Sequence, residues 1–374
     1  MLDEDLLFAL ALQCAPNIGD ITAKKLITHC GSPEGVLNES KKSLLKITGI
    51  GSYTINQLNK SLLLHQAEKE LTFIKNNHIR VRYYQNDSYP TLLKQCVDGP
   101  ILLFQRGNIS IKNRPIISIV GARKITNQGI ANCEAIIEKL SPYNPIIVSG
   151  FAYGADIIAQ KSAIKHHLQT IGCLAHGLNQ IYPKAHRKYM SAVENHGGFF
   201  TDFWSTDKFV KSNFLKRNRI IAGLSEATII IESAERGGSL VTADIANSYN
   251  REVFAVPGRI NDSQSVGCNN LIKFQRAHML SLAEDVPYIL NWKFQLHHLE
   301  KNSLVHHDLE ADERRVYNFL LVRDKDSIDN IARTCQMPVF KMSSLLLNME
   351  LKGLVKPLSG KYFEIIRGVI LEET

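Results

Sequence analysis

Between residues 81 and 295 the chain alternates short apolar runs with longer amphipathic segments. The runs lie in "PIISIVGAR", "PIIVSGF", "TIGCLAHG", "GGFFTDF", "ATIIIES" and "EVFAVPG", rich in Ile and Val and bounded by Gly, Pro or Asn. Continuous apolar runs of this length predict strands buried on both faces. The segments at about 126–140, 154–167, 213–224, 238–249 and 267–275 have the spacing of helices. Strands alternating with crossover helices predict an α/β class with a doubly wound, Rossmann-like, mostly parallel sheet.

The pattern differs at both ends. Residues 1–80 read as short helices separated by glycine-containing turns, and "APNIGDITAKKLITHC" and "ITGIGSYTINQLNK" look alike. Each places an apolar residue and a glycine in a tight turn ahead of an amphipathic segment, like helix-hairpin-helix motifs. Gly49-Ile50-Gly51 is complete, whereas Asn17-Ile18-Gly19 lacks one glycine. The turn amides of such motifs can hold a phosphate, but the near-neutral charge of residues 1–80 favours a structural bundle over DNA contact. Residues 296–310 are polar and read as a linker. Residues 311–374 show three helical patterns and a hairpin, the order of a winged helix, with Ile328, Ile331, Leu345, Leu346 and Leu351 expected in its core. The helix in the recognition position offers Lys341 alone, which favours a protein-interaction or structural role over direct DNA binding.

Charge sharpens this division. Residues 1–80 hold 9 Lys and Arg against 8 Asp and Glu, residues 81–295 hold 24 against 16, and residues 296–374 hold 11 against 12. The whole excess of +8 therefore sits in the middle, and a polyanion is expected there. The seven scattered cysteines, with no CxxC, point to reduced thiols in a cytoplasm and not to a zinc site or a disulfide framework. The acidic N-terminus is unlike a secretory signal, no apolar run reaches membrane-spanning length, and no membrane association is expected. No GxSxG, Walker or HExxH motif suggests catalysis, a cofactor or a metal.

Ligands in open α/β sheets bind at the carboxyl ends of strands. Three loops qualify. "IVGARK" brings Gly121, Ala122, Arg123 and Lys124; "SGFAYGAD" brings Gly150, Phe151, Gly154 and Asp156; "ERGGSLVTAD" brings Gly237, Gly238 and Ser239 at a helix start. Glycines there permit tight turns or a close approach of backbone amides to an anion. "KFVKSNFLKRNRIIAGLSEATIII" adds Lys211 and Phe214 at the start of a helix that Ser212 or Asn213 would cap. A cation for phosphate beside a ring for base stacking suits single-stranded nucleic acid. Arg217, Asn218 and Arg219 follow and are counted with the strand-binding residues; the two arginines are also expected to be partly buried and mainly architectural, paired with partners such as Asp156 or Glu232.

Together, "DSYPTLLKQCVDGPILLFQRGN", "IVGAR", "SGFAYGAD", "GLNQIYPKAHRKYM", "FLKRNRIIAGLSEATIIIESAERGGSLVTADIA" and "REVFAVPGRINDSQSVGCNNLI" resemble the DNA-processing protein A (DprA/Smf) family over roughly residues 85–280. The resemblance implies a cytoplasmic homodimer that binds single-stranded DNA and loads the RecA recombinase, protecting DNA that enters during natural transformation. It places Gly121, Ala122, Arg123, Lys211 and Phe214 in the strand-binding pocket, with Gly150 and Gly238 as pocket walls. The fold also resembles nucleotide-handling enzymes with a PGGxGTxxE signature. Here Leu240 and Val241 stand where that signature has Gly-Thr, and Asp244 where it has Glu. A nucleotide-hydrolysing or nucleotide-transferring enzyme, with turnover tracking Asp156 or Asp244, and a duplex-binding regulator acting through the winged helix remain the alternatives.

Overall fold

Strand Ile116–Val120 is buried along its whole length, and its alternate residues serve two cores. Ile117 and Ile119 pack with Cys133, Ile137 and Ala159 on one face, while Ile116 and Val120 pack with Ile220, Ile221 and Ala243 on the other. Helices therefore cover both faces of the sheet, as a continuous apolar strand requires. The structure is a computed structural model that describes residues 3–292, 309–352, 354–358 and 360–365. It divides into two compact units, Met1–Phe294 and Gln295–Thr374. Residues 296–308 of the expected linker, including His297, His298, His306 and His307, lie outside the described residues.

The first unit opens with six helices: α1 (Asp3–Gln13), α2 (Asp20–Cys30), α3 (Pro33–Asn38), α4 (Lys41–Leu44), α5 (Ser52–Asn56) and α6 (Lys60–Asn76). Strands β1 (Arg80–Tyr83) and β2 (Leu102–Gly107) flank α7 (Thr91–Lys94), and β3 (Ile116–Val120) follows. Then come α8 (Asn127–Leu140), β4 (Ile146–Ser149), α9 (Ala155–Lys165), β5 (Thr170–Cys173), α10 (Met190–Asn195) and β6 (Gly197–Thr201). Helix α11 (Ser212–Leu224) leads to β7 (Ala227–Ile230), α12 (Gly238–Ser248), β8 (Glu252–Ala255), α13 (Val266–Lys273), β9 (His278–Met279) and α14 (Asp285–Ile289).

The sheet order is β1-β2-β6-β5-β4-β3-β7-β8-β9. Pairings from β6 through β9 are parallel; β2 joins β6, and β1 joins β2, antiparallel. All six strands expected from the apolar runs are present, and the five expected helices fall within two residues of their predicted ends. The antiparallel margin was not anticipated, because β1 reads Arg-Val-Arg-Tyr and β2 ends in Gln-Arg-Gly. From β3 the chain winds outward through β4, β5 and β6, then α11 carries it back to β7 on the other side of β3. The crevice at the carboxyl ends of β3 and β7 is thus the topological switch point where such sheets hold ligands.

The two hairpin turns share one geometry. Asn17 (φ 60°) and Gly49 (φ 83°) both adopt the left-handed conformation, Ile18 and Ile50 are buried, and Gly19 and Gly51 each precede a helix. Asparagine tolerates this region better than other non-glycine residues, so Asn17 supplies the turn without the missing glycine. The bundle shares a core with the sheet: Phe8, Leu12 and Leu26 belong to one cluster with Phe104, Phe199 and Trp204.

An ionic node reinforces that junction. Arg219 of α11 reaches Asp20 of α2 at 3.0 Å, Asp202 after β6, and the Asp98 carbonyl. Asp20 also accepts the Ile101 amide at 2.8 Å. Arg219 is thus architectural as expected, but its partners are Asp20 and Asp202. Glu232 instead accepts the Thr126 amide at 2.9 Å, together with the Thr126 hydroxyl.

The second unit comprises α15 (Ala311–Arg323), β10 (Lys325–Ser327), α16 (Ile328–Thr334), α17 (Val339–Leu351), β11 (Val355–Leu358) and β12 (Tyr362–Ile365), with sheet order β10-β12-β11. Three helices and this small sheet make the winged-helix fold. Ile328, Ile331 and Leu346 are buried with Val316, Leu320 and Met342, and Leu345 packs against them; the Leu351 side chain lies outside the described residues. Lys341 pairs with Asp312 at 2.7 Å, so its charge is largely neutralised locally.

Arg219→Ala leaves two largely buried carboxylates without their cation, a loss on the order of 3 kcal/mol or more. Denaturant unfolding of the full chain should show this, with a smaller loss for Arg219→Ala in an Asp20→Asn/Asp202→Asn background.

Candidate nucleic-acid interface

At the switch point a cavity of about 600 Å³ opens between the loops after β3 and β7 and the first turns of α11 and α12. Gly121, Ala122, Arg123 and Lys124 line it from the β3 loop, and Gly237, Gly238 and Ser239 from the start of α12. Lys211, Phe214, Arg217 and Asn218 line it from α11. The structure thus brings together eleven of the expected residues. Gly150 and Phe151 lie behind this lining, and Arg219 points away to the helical bundle.

Arg217 forms the floor. It is only 4% exposed, yet it carries a charge between two strand ends. Its Nη1 donates to the Gly150 carbonyl at 2.6 Å and to the Cys173 carbonyl. Asp156, on α9, supplies the opposing charge. Burial pushes the Asp156 carboxyl up, while Arg217 and the amides of Ala152 and Gly150 pull it back; burial pulls the Arg217 guanidinium down. Gly150 sits between the two groups. A Cβ there would lie 2.4 Å from Arg217 Nη1 and 2.5 Å from Asp156 Oδ2, so no larger residue fits.

Phe151 is fully buried, with its ring edge-to-face on Phe199 and its carbonyl 3.0 Å from His186 Nδ1. It is packing beneath the site and offers no face to a ligand in this conformation. Burial lowers the imidazoles of His176 and His186 below their ordinary range.

The rim is cationic and aromatic. Arg123, Lys124 and Lys211 are exposed, and no ion pair neutralises any of them among the described residues. The Arg123 guanidinium stands 5.1 Å from the Phe214 ring centroid. Phe214 in turn meets Phe209 and Tyr182, each at 5.6 Å, and those two rings are 4.7 Å apart. Tyr182 and Phe209 line the cavity, and the sequence reading did not single them out. Phe209 lay within the cation-rich stretch itself, and Tyr182 within "GLNQIYPKAHRKYM", a basic segment with Lys184, Arg187 and Lys188 close behind it.

The family model described as DNA recombination-mediator protein A matches residues 80–291, and the DprA winged helix domain matches residues 305–361. Protein Smf of Escherichia coli is 31% identical over 333 residues, 84% of this chain and 87% of that one. DNA processing protein DprA of Streptococcus pneumoniae is 36% identical over 201 residues, 54% of this chain and 71% of its own. The chain belongs to the DprA/Smf family. The X-ray structure of DNA processing protein A from Streptococcus pneumoniae aligns with a TM-score of 0.65 at 28% identity, covering 79% of this chain and 99% of that one. DNA processing protein A from Helicobacter pylori, described for its single-stranded DNA binding mode, aligns with a TM-score of 0.52 at 26% identity, over 59% of this chain and 99% of that one.

Within this DprA/Smf chain, one local expectation fails. Helix α11 begins at Ser212 with Lys211 in the N-cap position and no side-chain cap. Asn213 is buried and donates to the Lys208 carbonyl at 3.1 Å, holding the preceding turn instead. The cap position is therefore occupied by a lysine whose side chain is free for the cavity. The β3 loop is held from behind, since Thr126 caps α8 through the Gly129 amide at 3.0 Å while bonding Glu232.

Two glycines make opposite predictions. A Cβ at Gly238 meets nothing within 4 Å, so the protein itself does not require glycine there. Gly238→Ala, at the first position of α12, should leave thermal stability unchanged or raise it by up to about 1 kcal/mol while weakening an anionic ligand. Gly150→Ala collides with Arg217 and Asp156 and should destabilise the fold; calorimetry with and without DNA separates the two.

Proposed function

We propose that this protein binds single-stranded DNA at the β3–β7 switch point. The observation that carries the reading is the rim: three exposed cations, without ion-pair partners among the described residues, share the cavity with a phenyl ring whose neighbours are also aromatic. Lys211, Lys124 and Arg123 neutralise phosphates, and Phe214, backed by Phe209 and Tyr182, stacks on a base, which duplex DNA keeps hidden within its own stack. The Gly237 amide is taken by the Ala234 carbonyl at 3.0 Å, which leaves the amides of Gly238 and Ser239, at the start of α12, to suit a phosphate. Arg217, Phe151 and Gly150 serve as supports, because they are buried, and Arg219 ties the binding helix to the bundle.

Binding without turnover is the reading favoured over a nucleotide enzyme. Neither candidate carboxylate stands free for chemistry at the cavity: Asp156 is held against Arg217, and Asp244 pairs with Arg276. The finer role we assign follows the family: protecting incoming DNA in the cytoplasm during natural transformation and passing it to RecA, as a homodimer. Exposed Phe274, Met279, Leu282 and Tyr288 cluster in sequence around edge strand β9 and support self-association there. Among the described residues, no helix is long and apolar enough to cross a membrane.

Fluorescence anisotropy of labelled oligothymidine over a salt series tests the reading, with a duplex of equal length beside it. Wild type should prefer the single strand. Lys211→Ala should reduce the salt slope by about 0.7, one phosphate's worth, and Lys211→Ala/Phe214→Ala should abolish specific binding. Equal affinity of that double variant and wild type would overturn the assignment. Saturable binding of a mononucleotide with turnover would favour the enzyme reading.

A further inference from the structure

A second cavity, of about 850 Å³, opens in the same unit where α2 meets the turn after α4 and the end of α7. Four lysines line it, Lys24, Lys25, Lys46 and Lys94, with His29 beside them and no Asp or Glu in the lining. The lysines come from three separate elements and converge on one concavity. Lys24 is committed to structure: it donates to the carbonyls of Cys96 at 3.0 Å and Val97 at 3.1 Å. The other three are exposed, and no ion pair engages them among the described residues. Lys25 reaches the second hairpin turn, its Nζ standing 3.8 Å from where a Gly49 Cβ would be.

Asp20 and Asp98 act on Lys24, but Lys25, Lys46 and Lys94 have no ion-pair partner among the described residues, and gathered ammonium groups raise the local potential and attract a polyanion. We propose that this groove binds a sugar–phosphate backbone, as a second contact between the protein and nucleic acid. Its chemistry is that of phosphate neutralisation without base reading. It has no arginine for bidentate bonds to a base edge, and its aromatic residue, Tyr84, is half-buried beneath Lys24, 5.6 Å from ring centroid to Nζ. The groove is also fixed relative to the first cavity, because Asp20 of α2 is bonded to Arg219 of α11. The inference stands whether or not the first cavity is the strand-binding one.

The test uses the full chain as Lys25→Ala/Lys46→Ala/Lys94→Ala, with Lys24 retained to keep the Cys96 and Val97 contacts. Among the described residues none of the three side chains has a partner to lose, and an unchanged melting temperature checks this. Anisotropy is measured over a salt series on three probes: oligothymidine of about 8 nucleotides, within the span of a single binding fold, a several-fold longer strand, and a duplex. The short probe should bind the triple variant as it binds wild type. The long strand should bind about tenfold more weakly, with a salt slope lower by about 2, the worth of three phosphates on a single strand. If the duplex loses affinity and the long strand does not, the backbone engaged is that of a duplex. Unchanged affinity and slope on both the long strand and the duplex would overturn the proposal, as would a wild type that binds neither. Lys211→Ala/Phe214→Ala in parallel separates the two sites, since it should weaken the short probe while the triple variant does not.

Discussion

Arg217 is nearly sealed from water between the ends of β4 and β5, and the arrangement of the site depends on how its charge is satisfied there. A buried guanidinium is tolerable only with an opposing charge and acceptors for its N–H groups. Asp156 provides the charge, and the Gly150 and Cys173 carbonyls provide acceptors. These demands reach outward. Gly150 must lack a side chain, α9 must start where Asp156 faces Arg217, and α11 must lie across the strand ends at one depth. Lys211 and Phe214 lie one to two turns earlier on that helix, so fixing Arg217 also fixes where the cation and the ring enter the cavity.

Arg219 extends the same logic in the other direction. Two residues along a helix turn the side chain by roughly 200°, so Arg217 and Arg219 leave α11 on nearly opposite sides. One is anchored in the sheet and the other in Asp20 and Asp202 at the helical bundle. The helix that carries the ligand-facing residues is thereby clamped on two sides by charged groups specific in direction, while its apolar face, Ile220, Ile221 and Leu224, fills the core. Hydrophobic burial alone would hold α11 in place with less rotational definition.

The parallel strands and crossover helices were legible because their residues are buried on both faces and leave an unbroken apolar signal. The margin strands β1 and β2 were not, since Arg80 and Arg82 in edge strand β1, and Gln105 and Arg106 at the end of β2, interrupt that signal. The three glycine loops could be placed from the strand ends alone. What each glycine does could not: Gly150 answers to Arg217 and Asp156, Gly238 faces open space, and only tertiary contacts distinguish them. Phe151 had the composition of a pocket residue and proved to be core, because the strand it follows turns its ring inward onto Phe199. Tyr182 joins the aromatic rim from about thirty residues upstream of Phe214, a contact that no local pattern encodes.

Hydrogen–deuterium exchange of the full chain with and without oligothymidine tests most directly whether the switch point is the binding site. The account predicts slowed exchange in residues 121–126, 208–216 and 234–239, with the winged-helix residues 309–365 unaffected. Protection confined to 309–365, with those three segments exchanging as in the free protein, would contradict it.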